Sequence, residues 1–360
     1  MEENKEKFFY NLARPAIREI EEYDPGPMPA GAAIRISANE NNMGVPPKAR
    51  EALLRAIDEG NRYPESRCAN LRTLLAKRHG VLPEQIIVGN GLDGIFTTLG
   101  RAFMEPEDEI LCGELTFSVY ADTARVMGAK PIFVPLTEKF ALDVQGFIRG
   151  VTQKTKIIFF CNPNNPTGTL ASIEEIKHLL AAVPQNVLVV LDEAYLEFAD
   201  EPIPTAIPLL EEYPNLIVCR TFSKIFGIAG LRVGYAVADP ELLKYMYKTR
   251  ETYAVSILSA AAAEGALQDG EYYDATRSLV KEERKKLCSF FDRIGISYIP
   301  SHANFVTIFA GEKAPTIRDA LLEKGIVLRL LTFRGKKEML RISIGLPEEN
   351  AIFMKEFEKI

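Results

Sequence analysis

Short apolar runs alternate with helical segments along the chain from about residue 46. The predicted helices cover 48–58, 69–79, 94–103, 118–127 and 173–182. The runs between them are Ile86–Gly89, Glu109–Cys112, Pro131–Val134, Ile157–Cys161, Val187–Leu191, Leu216–Arg220 and Arg232–Val237. Continuous apolar strands separated by helices are typical of a mostly parallel sheet that is buried on both faces. The pattern therefore predicts a large, doubly wound α/β domain built on a seven-stranded sheet.

The pattern changes after about residue 255. A long helical stretch at 256–293 precedes a predicted strand at 304–309, a helix that ends at Gly325, and two short strands at 326–330 and 339–344. A final helix is predicted to begin near Pro347, because proline suits the first helical position. These elements predict a smaller α+β domain.

The first 31 residues predict an N-terminal arm. A short polar helix is followed by DPGPMPAG at 24–31, and three prolines with two glycines disfavour regular structure there. Phe8, Phe9 and Tyr10 are candidates to pack on a second subunit. We therefore expect an arm at 1–31, a large domain at 45–255, and a small domain formed by 32–44 with 256–360.

Composition narrows the class of protein. The chain has 360 residues, of which 47% are hydrophobic and 26% are charged, as in ordinary globular proteins. Its net charge of −6 disfavours nucleic acid as the main partner, although a small anionic ligand needs only two or three cationic side chains. No apolar run approaches the ~20 residues that span a bilayer, so we expect no membrane partner. The N-terminus has no apolar segment of the kind found in signal peptides.

Cysteine and histidine usage bears on compartment and chemistry. The five cysteines are scattered, odd in number and without a CxxC pair, which predicts reduced thiols in a cytoplasmic protein. The three histidines are far apart in the sequence. This spacing disfavours a histidine-based metal site or a Ser–His–Asp triad, so we expect no metal.

Residues 89–94 read GNGLDG, which matches the GxGxxG pattern between a strand and a helix. One interpretation is a dinucleotide fingerprint, and another is a plain strand-to-helix turn. The interpretation that the rest of the chain favours is a cradle for the phosphate of a different cofactor, because backbone N–H groups at a helix N-terminus attract phosphate.

Polar side chains follow three of the predicted strands. Asn165 follows the fourth, Asp192 and Tyr195 follow the fifth, and Lys224 and Arg232 follow the sixth. Ligands of open α/β sheets gather at the carboxyl ends of the strands. Taken alone, each residue has an ordinary structural interpretation as a cap, a turn residue, a solvated cation or a core aromatic. The combination is more specific than any of its members.

Pyridoxal phosphate is the cofactor whose chemistry needs this set. It requires a lysine to hold its aldehyde, a carboxylate to keep its pyridine nitrogen protonated, donors at its ring oxygen and a cationic pocket for its phosphate. Lys224 and Asp192 are the candidates for the first two roles, and Tyr195 with Asn165 for the third. The predicted phosphate ligands are Gly91, Leu92, Asp93, Ser223 and Arg232, with Thr221 a weaker candidate.

The sequence resembles the fold-type-I pyridoxal-phosphate aminotransferases and, among them, the histidinol-phosphate aminotransferase family. The similarity runs nearly from end to end. The matching strings are ANEN at 38–41, RYPE at 62–65, CNPNNPTG at 161–168, LDEAYLEF at 191–198, RTFSKIFGIAGLRVGY at 220–235, NF at 304–305 and LRIS at 340–343.

The resemblance implies an aspartate-aminotransferase-like fold and a homodimer in which Tyr63 reaches the cofactor phosphate of the neighbouring subunit. It also implies that Phe117 stacks on the pyridine ring, with Tyr120 as the alternative. The substrate ligands that it implies are Tyr23, Asn39, Arg329 and Arg341.

Three departures from the family pattern lie near the predicted active-site rim. Residues 41–44 read NNMG where the family has NPYG, Gly94 replaces a glutamate, and Leu115-Thr116-Phe117 replaces PTY. They bear on substrate preference rather than on the cofactor or the reaction class.

The resemblance implies transfer of an amino group from histidinol phosphate to 2-oxoglutarate, in histidine biosynthesis. Two alternatives share the scaffold, a threonine-phosphate decarboxylase and an aromatic or broad-range aminotransferase. An NAD-dependent oxidoreductase that uses GNGLDG and a catalytically silent cofactor-binding regulator represent other classes.

Overall fold

The computed structural model describes residues 2–18, 20, 22, 34–201 and 203–360. Its strands are β1 (Ile34–Arg35), β2 (Ile86–Asn90), β3 (Glu109–Gly113), β4 (Lys130–Val134), β5 (Thr155–Cys161), β6 (Leu188–Asp192), β7 (Leu216–Thr221), β8 (Val233–Ala238), β9 (Tyr298–Ile299), β10 (Phe305–Phe309), β11 (Ile326–Val327), β12 (Arg329–Phe333) and β13 (Lys336–Ser343).

Thirteen α-helices lie in the described part of the chain. They are α1 (Glu2–Leu12), α2 (Pro15–Arg18), α3 (Pro47–Ala56), α4 (Ala69–His79), α5 (Gly91–Phe103), α6 (Val119–Met127), α7 (Val144–Gly150), α8 (Ile173–Ala182), α9 (Pro240–Thr249), α10 (Ile257–Leu267), α11 (Gly270–Ile294), α12 (Ala314–Glu323) and α13 (Pro347–Phe357). None of these described helices combines the length and the apolar character that a membrane crossing needs.

The largest sheet has seven strands in the order β2-β8-β7-β6-β5-β3-β4. All pairings are parallel except those of β8, which runs antiparallel to both of its neighbours. The central strands β6, β7 and β8 are almost entirely buried, which explains their uninterrupted apolar sequences. The predicted seven-stranded, mostly parallel sheet is confirmed.

A second sheet has the order β12-β13-β10-β9, and β1 pairs in parallel with β11 in a separate two-stranded sheet. The predicted 326–330 strand is therefore wrong as a single element. Ile326 and Val327 pair with residues 34–35, whereas Arg329 and the residues after it pair with β13. The two halves of the predicted strand belong to different sheets.

The predicted helical stretch at 256–293 is two helices, α10 and α11, rather than one. The break lies at Asp269, whose carboxylate accepts hydrogen bonds from the backbone N–H of Tyr272 (3.4 Å) and from that of Lys48 (3.0 Å). The aspartate caps α11 and at the same time binds the start of α3. Helix α13 begins at Pro347 as predicted.

The division into an arm, a large domain and a small domain remains a prediction. The predicted polar helix of the arm is present as α1, and Phe8, Phe9 and Tyr10 are exposed on it. The DPGPMPAG segment and Tyr23 lie outside the described residues.

Candidate active site

The carboxyl ends of β5, β6 and β7 lie side by side. Cys161 at the end of β5 is in register with Asp192 at the end of β6, and Asp192 is in register with Cys219 of β7. Asp192 ends β6, and the loops that leave β5 and β7 carry Asn165 and Lys224, so the sheet brings the three residues to one edge.

Lys224 lies in the loop after β7 and is half-buried. Its Nζ donates a hydrogen bond to the carbonyl oxygen of Ala38 (3.1 Å) and lies 5.6 Å from the centre of the Tyr195 ring. Burial, helped by the nearby Arg341 guanidinium, lowers the pKa of this amine to about 8. A minority of the amine, far more than for an ordinary lysine, is therefore neutral near physiological pH and able to act as a nucleophile or a base.

Asp192 is buried at the end of β6. One carboxylate oxygen, Oδ2, accepts a short hydrogen bond from the Tyr120 hydroxyl (2.6 Å), and Oδ1 accepts one from the backbone N–H of Ala194 (3.0 Å). Burial raises the pKa of this carboxyl to about 6 although both hydrogen bonds favour the ionised form. A cation placed beside Asp192 would relieve that cost, which suits a protonated ring nitrogen.

The hydroxyl of the buried Tyr195 accepts a hydrogen bond from Asn39 Nδ2 (3.1 Å). Asn39 is itself buried and has a left-handed backbone with φ of 55°. Its backbone N–H donates to Ser343 Oγ (2.8 Å), and its carbonyl accepts from Asn304 Nδ2 (3.1 Å). Asn39, predicted as a substrate ligand, therefore lies against Tyr195 with its side chain engaged inside the protein.

Arg341 connects the smaller sheet to the loop after β5. One guanidinium nitrogen donates to Asn165 Oδ1 (2.6 Å), and the other terminal nitrogen donates to the carbonyl oxygen of Ser37 (2.6 Å). Arg329 stands opposite Arg341 in the antiparallel register of β12 and β13. The two predicted substrate arginines are thus neighbours on adjacent strands.

The GNGLDG segment forms the end of β2 and the first turn of α5. Gly91 has a φ of 69°, and a Cβ there would lie 2.6 Å from a terminal nitrogen of Arg232. A Cβ on Gly234 would lie 2.8 Å from the backbone of Gly91 and of Leu92. Both glycines allow the N-terminus of α5 to meet the start of β8, and this contact brings Arg232 beside the free N–H groups of the helix.

Charged and polar side chains surround that helix start. Arg232 forms an ion pair with Asp93 Oδ2 (3.2 Å), and both side chains are about half exposed. Ser223 and Thr221 lie at the end of β7, where the Ser223 N–H donates to Thr221 Oγ1 (3.0 Å). Helix α5 has 13 residues, and its N-terminus lies beside the Arg232 guanidinium. Such a site suits a phosphate group.

The topology argues against a dinucleotide at this turn. A dinucleotide fingerprint belongs to a unit in which the strands before and after the helix are parallel and close together. Here the strand before α5, β2, lies at one edge of the sheet and pairs only with the antiparallel β8.

Phe117 and Tyr120 occupy different environments. Tyr120 is fully buried, its hydroxyl is bound to Asp192, and its ring is stacked on Phe159 with a centroid distance of 4.8 Å. Phe117 is half-buried and lies edge-on to the Tyr120 ring. The ring of Phe117 is therefore the one with surface left for a ligand.

Tyr63 lies on the surface. Its side chain is 79% exposed and stacks on Tyr253 with a centroid distance of 4.5 Å and an angle of 15° between the rings. Among the described residues, Tyr63 stacks on Tyr253 and not on a residue near Lys224.

Sequence reasoning missed the part that Tyr120 plays beside Asp192. The two residues are 72 positions apart, and a tyrosine in an amphipathic helix is ordinarily a core residue. It also missed Asn304 and Ser343 as partners of Asn39, although both stand inside strings that were singled out.

The residues present fit a cofactor with an aldehyde, a basic ring nitrogen and a phosphate. Lys224 supplies a partly neutral amine, Asp192 a buried carboxylate with no ion pair among the described residues, and Arg232 with the start of α5 an anion site. No group of three or more potential metal ligands is present among the described residues.

Comparisons with known proteins agree with this chemistry. The family model "Aminotransferase class I and II" matches residues 32–355. Histidinol-phosphate aminotransferase 1 of Nitrosococcus oceani is 35% identical, over 99% of this chain and 98% of that protein. The crystal structure of histidinol-phosphate aminotransferase from Sinorhizobium meliloti in complex with pyridoxal-5'-phosphate is 26% identical, with a TM-score of 0.89 over 96% of this chain and 97% of that one. L-threonine-O-3-phosphate decarboxylase from Porphyromonas gingivalis is 26% identical, with a TM-score of 0.78 over 90% of this chain and 98% of that one.

Proposed function

The chain belongs to the class I and II aminotransferase family, and on that premise we propose that it transfers the amino group of histidinol phosphate to 2-oxoglutarate. The products are imidazole-acetol phosphate and glutamate. Support comes from the names of its relatives, which are histidinol-phosphate aminotransferases at 35–36% identity over nearly the whole chain. The fold and the pyridoxal-phosphate dependence predicted from the sequence are confirmed.

The observation that carries the proposal is the placement of Lys224 and Asp192 at the carboxyl ends of the adjacent strands β7 and β6. An amine with a pKa of about 8 and a buried carboxyl with a pKa of about 6 stand on opposite sides of neutrality. Above about pH 8 the amine is mostly free while the carboxyl is ionised, as a reaction that needs both forms requires.

Bound pyridoxal phosphate supplies an electron sink that weakens the C–H bond next to the substrate's amine. Lys224 would hold the cofactor's aldehyde until the substrate amine displaced it, and its freed amine would then take the proton from the substrate carbon and deliver it to the former aldehyde carbon of the cofactor. Asp192 keeps the ring nitrogen charged, and Tyr195 with Asn165 binds the ring oxygen. Phe117 packs on the ring.

The phosphate of the cofactor binds at the α5 N-terminus, with Gly91, Leu92 and Asp93 forming the turn. Arg232 and Ser223 are its side-chain ligands, and Thr221 is a weaker one. The positive φ of Gly91 and its lack of a side chain support this assignment, because any Cβ there would collide with Arg232.

Arg341 and Arg329 bind the phosphorylated end of the substrate. A planar guanidinium matches phosphate with two parallel hydrogen bonds, and the same group matches the carboxylate of glutamate. Tyr23 and Asn39 complete the proposed set of substrate ligands.

The proposed active form is a homodimer in which Tyr63 reaches the cofactor phosphate of the partner subunit. The exposure of Tyr63 supports this role, because 79% of its large aromatic side chain is accessible on the surface of its own chain. The five free cysteines, four of them buried, also suit the proposed cytoplasmic location.

The runner-up is a threonine-phosphate decarboxylase, which the likeness to the Porphyromonas gingivalis enzyme keeps open. An aromatic or broad-range aminotransferase comes next. The purified protein, tested in single turnovers with histidinol phosphate, threonine phosphate and phenylalanine, discriminates among the three.

We expect histidinol phosphate to convert the bound cofactor fastest, and 2-oxoglutarate to regenerate its original absorbance. Release of CO2 from threonine phosphate at a higher rate would favour the decarboxylase. Faster conversion by phenylalanine would favour the aromatic aminotransferase.

A further inference from the structure

The β12–β13 hairpin reaches across to the loop that follows β3. At its tip, Arg334 donates two hydrogen bonds to the Glu114 carboxylate, from Nε to Oε2 (3.1 Å) and from a terminal nitrogen to Oε1 (2.7 Å). Glu114 Oε1 also accepts from the backbone N–H of Leu136 (2.9 Å). The pKa of the Glu114 carboxyl lies below its usual range, mainly because of the hydrogen bonds from the Arg334 guanidinium.

The hairpin turn is built for this contact. Arg334 and Gly335 both have a positive φ, of 48° and 76°, as the two-residue turn of a tight hairpin requires. A non-glycine residue in that conformation is uncommon, and its side chain here forms the two-point bond to Glu114.

Leu115, the residue after Glu114, forms a small apolar cluster with Ile299 and Met339 that is separate from the main core. Leu331 and Phe333 of the hairpin pack against it, and so do Leu136 and Phe140 of the loop that follows β4. The hairpin therefore touches the β3 loop through one ion pair and one apolar contact.

The loop that Glu114 begins runs directly into the candidate site. Thr116 Oγ1 donates to Asn164 Oδ1 (2.7 Å), and Asn164 Nδ2 donates to the Leu115 carbonyl oxygen (3.0 Å). Asn164 is followed by Asn165, which accepts from Arg341. The same hairpin is thus bonded to this region at its tip, through Arg334, and at its base, through Arg341.

Arg341 and Arg329 lie on strands that differ in their neighbours within the sheet. Arg341 lies on β13, between two other strands, and is buried. Arg329 lies on β12, an edge strand that pairs with β13 and with no other strand in the described part of the chain. The pairing of β12 with β13 also shifts register between Leu331 and Phe333, so strand pairing alone defines β12 less strictly there.

We propose that Arg334 and Glu114 are positioning residues for substrate binding, because their ion pair fixes the edge strand β12 and with it Arg329. This inference rests on the proposed function, in which Arg329 binds an anionic substrate group. Neither Arg334 nor Glu114 needs to touch the substrate.

The test is the kinetics of Arg334→Gln in the cofactor-loaded enzyme. We expect the KM for histidinol phosphate to rise about three- to tenfold with kcat changed less than twofold, because only ground-state positioning is lost. Cofactor absorbance should not change. The matched control is Lys336→Gln, which removes an exposed cation two residues away whose 3.6 Å ion pair with Glu338 stays within the hairpin. It should leave KM unchanged.

A double-mutant cycle separates positioning from a general loss of structure. If Arg334 acts through Arg329, Arg334→Gln should raise KM in the wild-type background and have almost no effect in an Arg329→Leu background. Arg334→Lys should restore only part of the loss, because an ammonium lacks the planar fork. Equal effects of Arg334→Gln in both backgrounds would overturn the proposal.

Hydrogen exchange gives a readout that does not depend on activity. Amides of residues 329–343 should exchange faster in Arg334→Gln than in wild type or Lys336→Gln, without substrate. Unchanged exchange, or faster exchange with unchanged KM, also overturns the proposal. If the wild type does not use histidinol phosphate, the proposed substrate is wrong, and the same cycle is then run with glutamate as the amino donor.

Discussion

Asn39 donates a hydrogen bond to the Tyr195 hydroxyl, and the two residues that precede Asn39 in the chain also bind residues of the candidate site. The carbonyl oxygen of Ala38 accepts from Lys224, and that of Ser37 accepts from Arg341. Three consecutive residues therefore bind three different candidate site residues. A displacement of this short segment would alter the positions of all three together.

The rate at which apoprotein captures pyridoxal phosphate should follow the ionisation of Lys224. Only the neutral amine attacks an aldehyde, and its pKa is lowered to about 8 by burial and by Arg341. We expect the second-order rate constant, measured by stopped-flow absorbance, to rise with pH and to reach half its maximum near pH 8. An ordinary lysine would place that midpoint near 10.4.

Arg341→Leu should move the same midpoint to higher pH, since it removes a positive charge that disfavours the ammonium. Arg318→Leu, in α12, serves as the control for loss of an arginine. An unchanged midpoint in Arg341→Leu would mean that burial alone tunes the amine.

The free energy of unfolding of the apoprotein should depend on pH through the ionisation of Asp192. Its pKa is raised from 3.8 to about 6 in the folded protein, so the folded state binds this proton more tightly than the unfolded state does. The group's favourable contribution is complete below about pH 4 and is lost as pH rises through about 6. At ~1.4 kcal/mol per pKa unit, the loss amounts to roughly 3 kcal/mol.

Asp192→Asn removes that pH dependence. The difference in unfolding free energy between variant and wild-type apoprotein should therefore shift in favour of the variant between about pH 4 and pH 7. Chemical denaturation at several pH values measures it. In the loaded enzyme the same variant should lose at least ~100-fold in kcat, because the charge-assisted bond to the ring nitrogen is gone. A flat difference across this pH range would mean that Asp192 titrates normally.

Hybrid dimers test the proposed role of Tyr63. Lys224→Ala should abolish turnover and the borohydride-reducible cofactor absorbance while leaving the fold intact. Tyr63→Phe keeps the stack on Tyr253 but loses the hydroxyl, and should weaken cofactor binding about 10-fold or more, as expected for one hydrogen bond to a charged group.

Mixing the two variants in one dimer should restore one intact site, with Lys224 from one chain and Tyr63 from the other. We expect up to half of wild-type activity per hybrid dimer at limiting cofactor, where each parent is poorly active. If Tyr63 acts within its own chain, no site of the hybrid is intact and activity does not return.

Arg341→Leu should raise the KM for histidinol phosphate about 10–100-fold, the loss of one charge-assisted contact of ~1.5–3 kcal/mol. Arg341→Leu also removes the 2.6 Å hydrogen bond that Arg341 donates to Asn165 Oδ1. Steady-state kinetics with Arg318→Leu as the surface control checks it. A KM within twofold of wild type would remove Arg341 from the set of substrate ligands.

The seven predicted strands of the large sheet agree with the structure to within about two residues, because buried parallel strands have continuous apolar sequences. The same reasoning failed where a distant partner decides the structure. The helix break at Asp269 depends on Lys48, and the separation of β11 from β12 depends on Ile34. Neither partner is visible in the local pattern.

Local sequence patterns also predicted only part of the candidate site. Asn165, Asp192 and Lys224 could be found because each follows a predicted strand, and parallel strands bring their ends together. The bond from Tyr120 to Asp192 and the pair formed by Arg334 and Glu114 could not, since both join residues that look like ordinary core or surface positions. They are set by tertiary packing rather than by any local signal.

The backbone N–H of Asn39 is bound to Ser343, and the two residues are 304 positions apart. The segment that orders Lys224 and Tyr195 therefore leaves the ribosome 304 residues before its support in β13. A nascent chain can form the large sheet long before it can complete this site. Residues 37–39 can therefore take up the positions that they have around Lys224 and Tyr195 only after β13 has been synthesised.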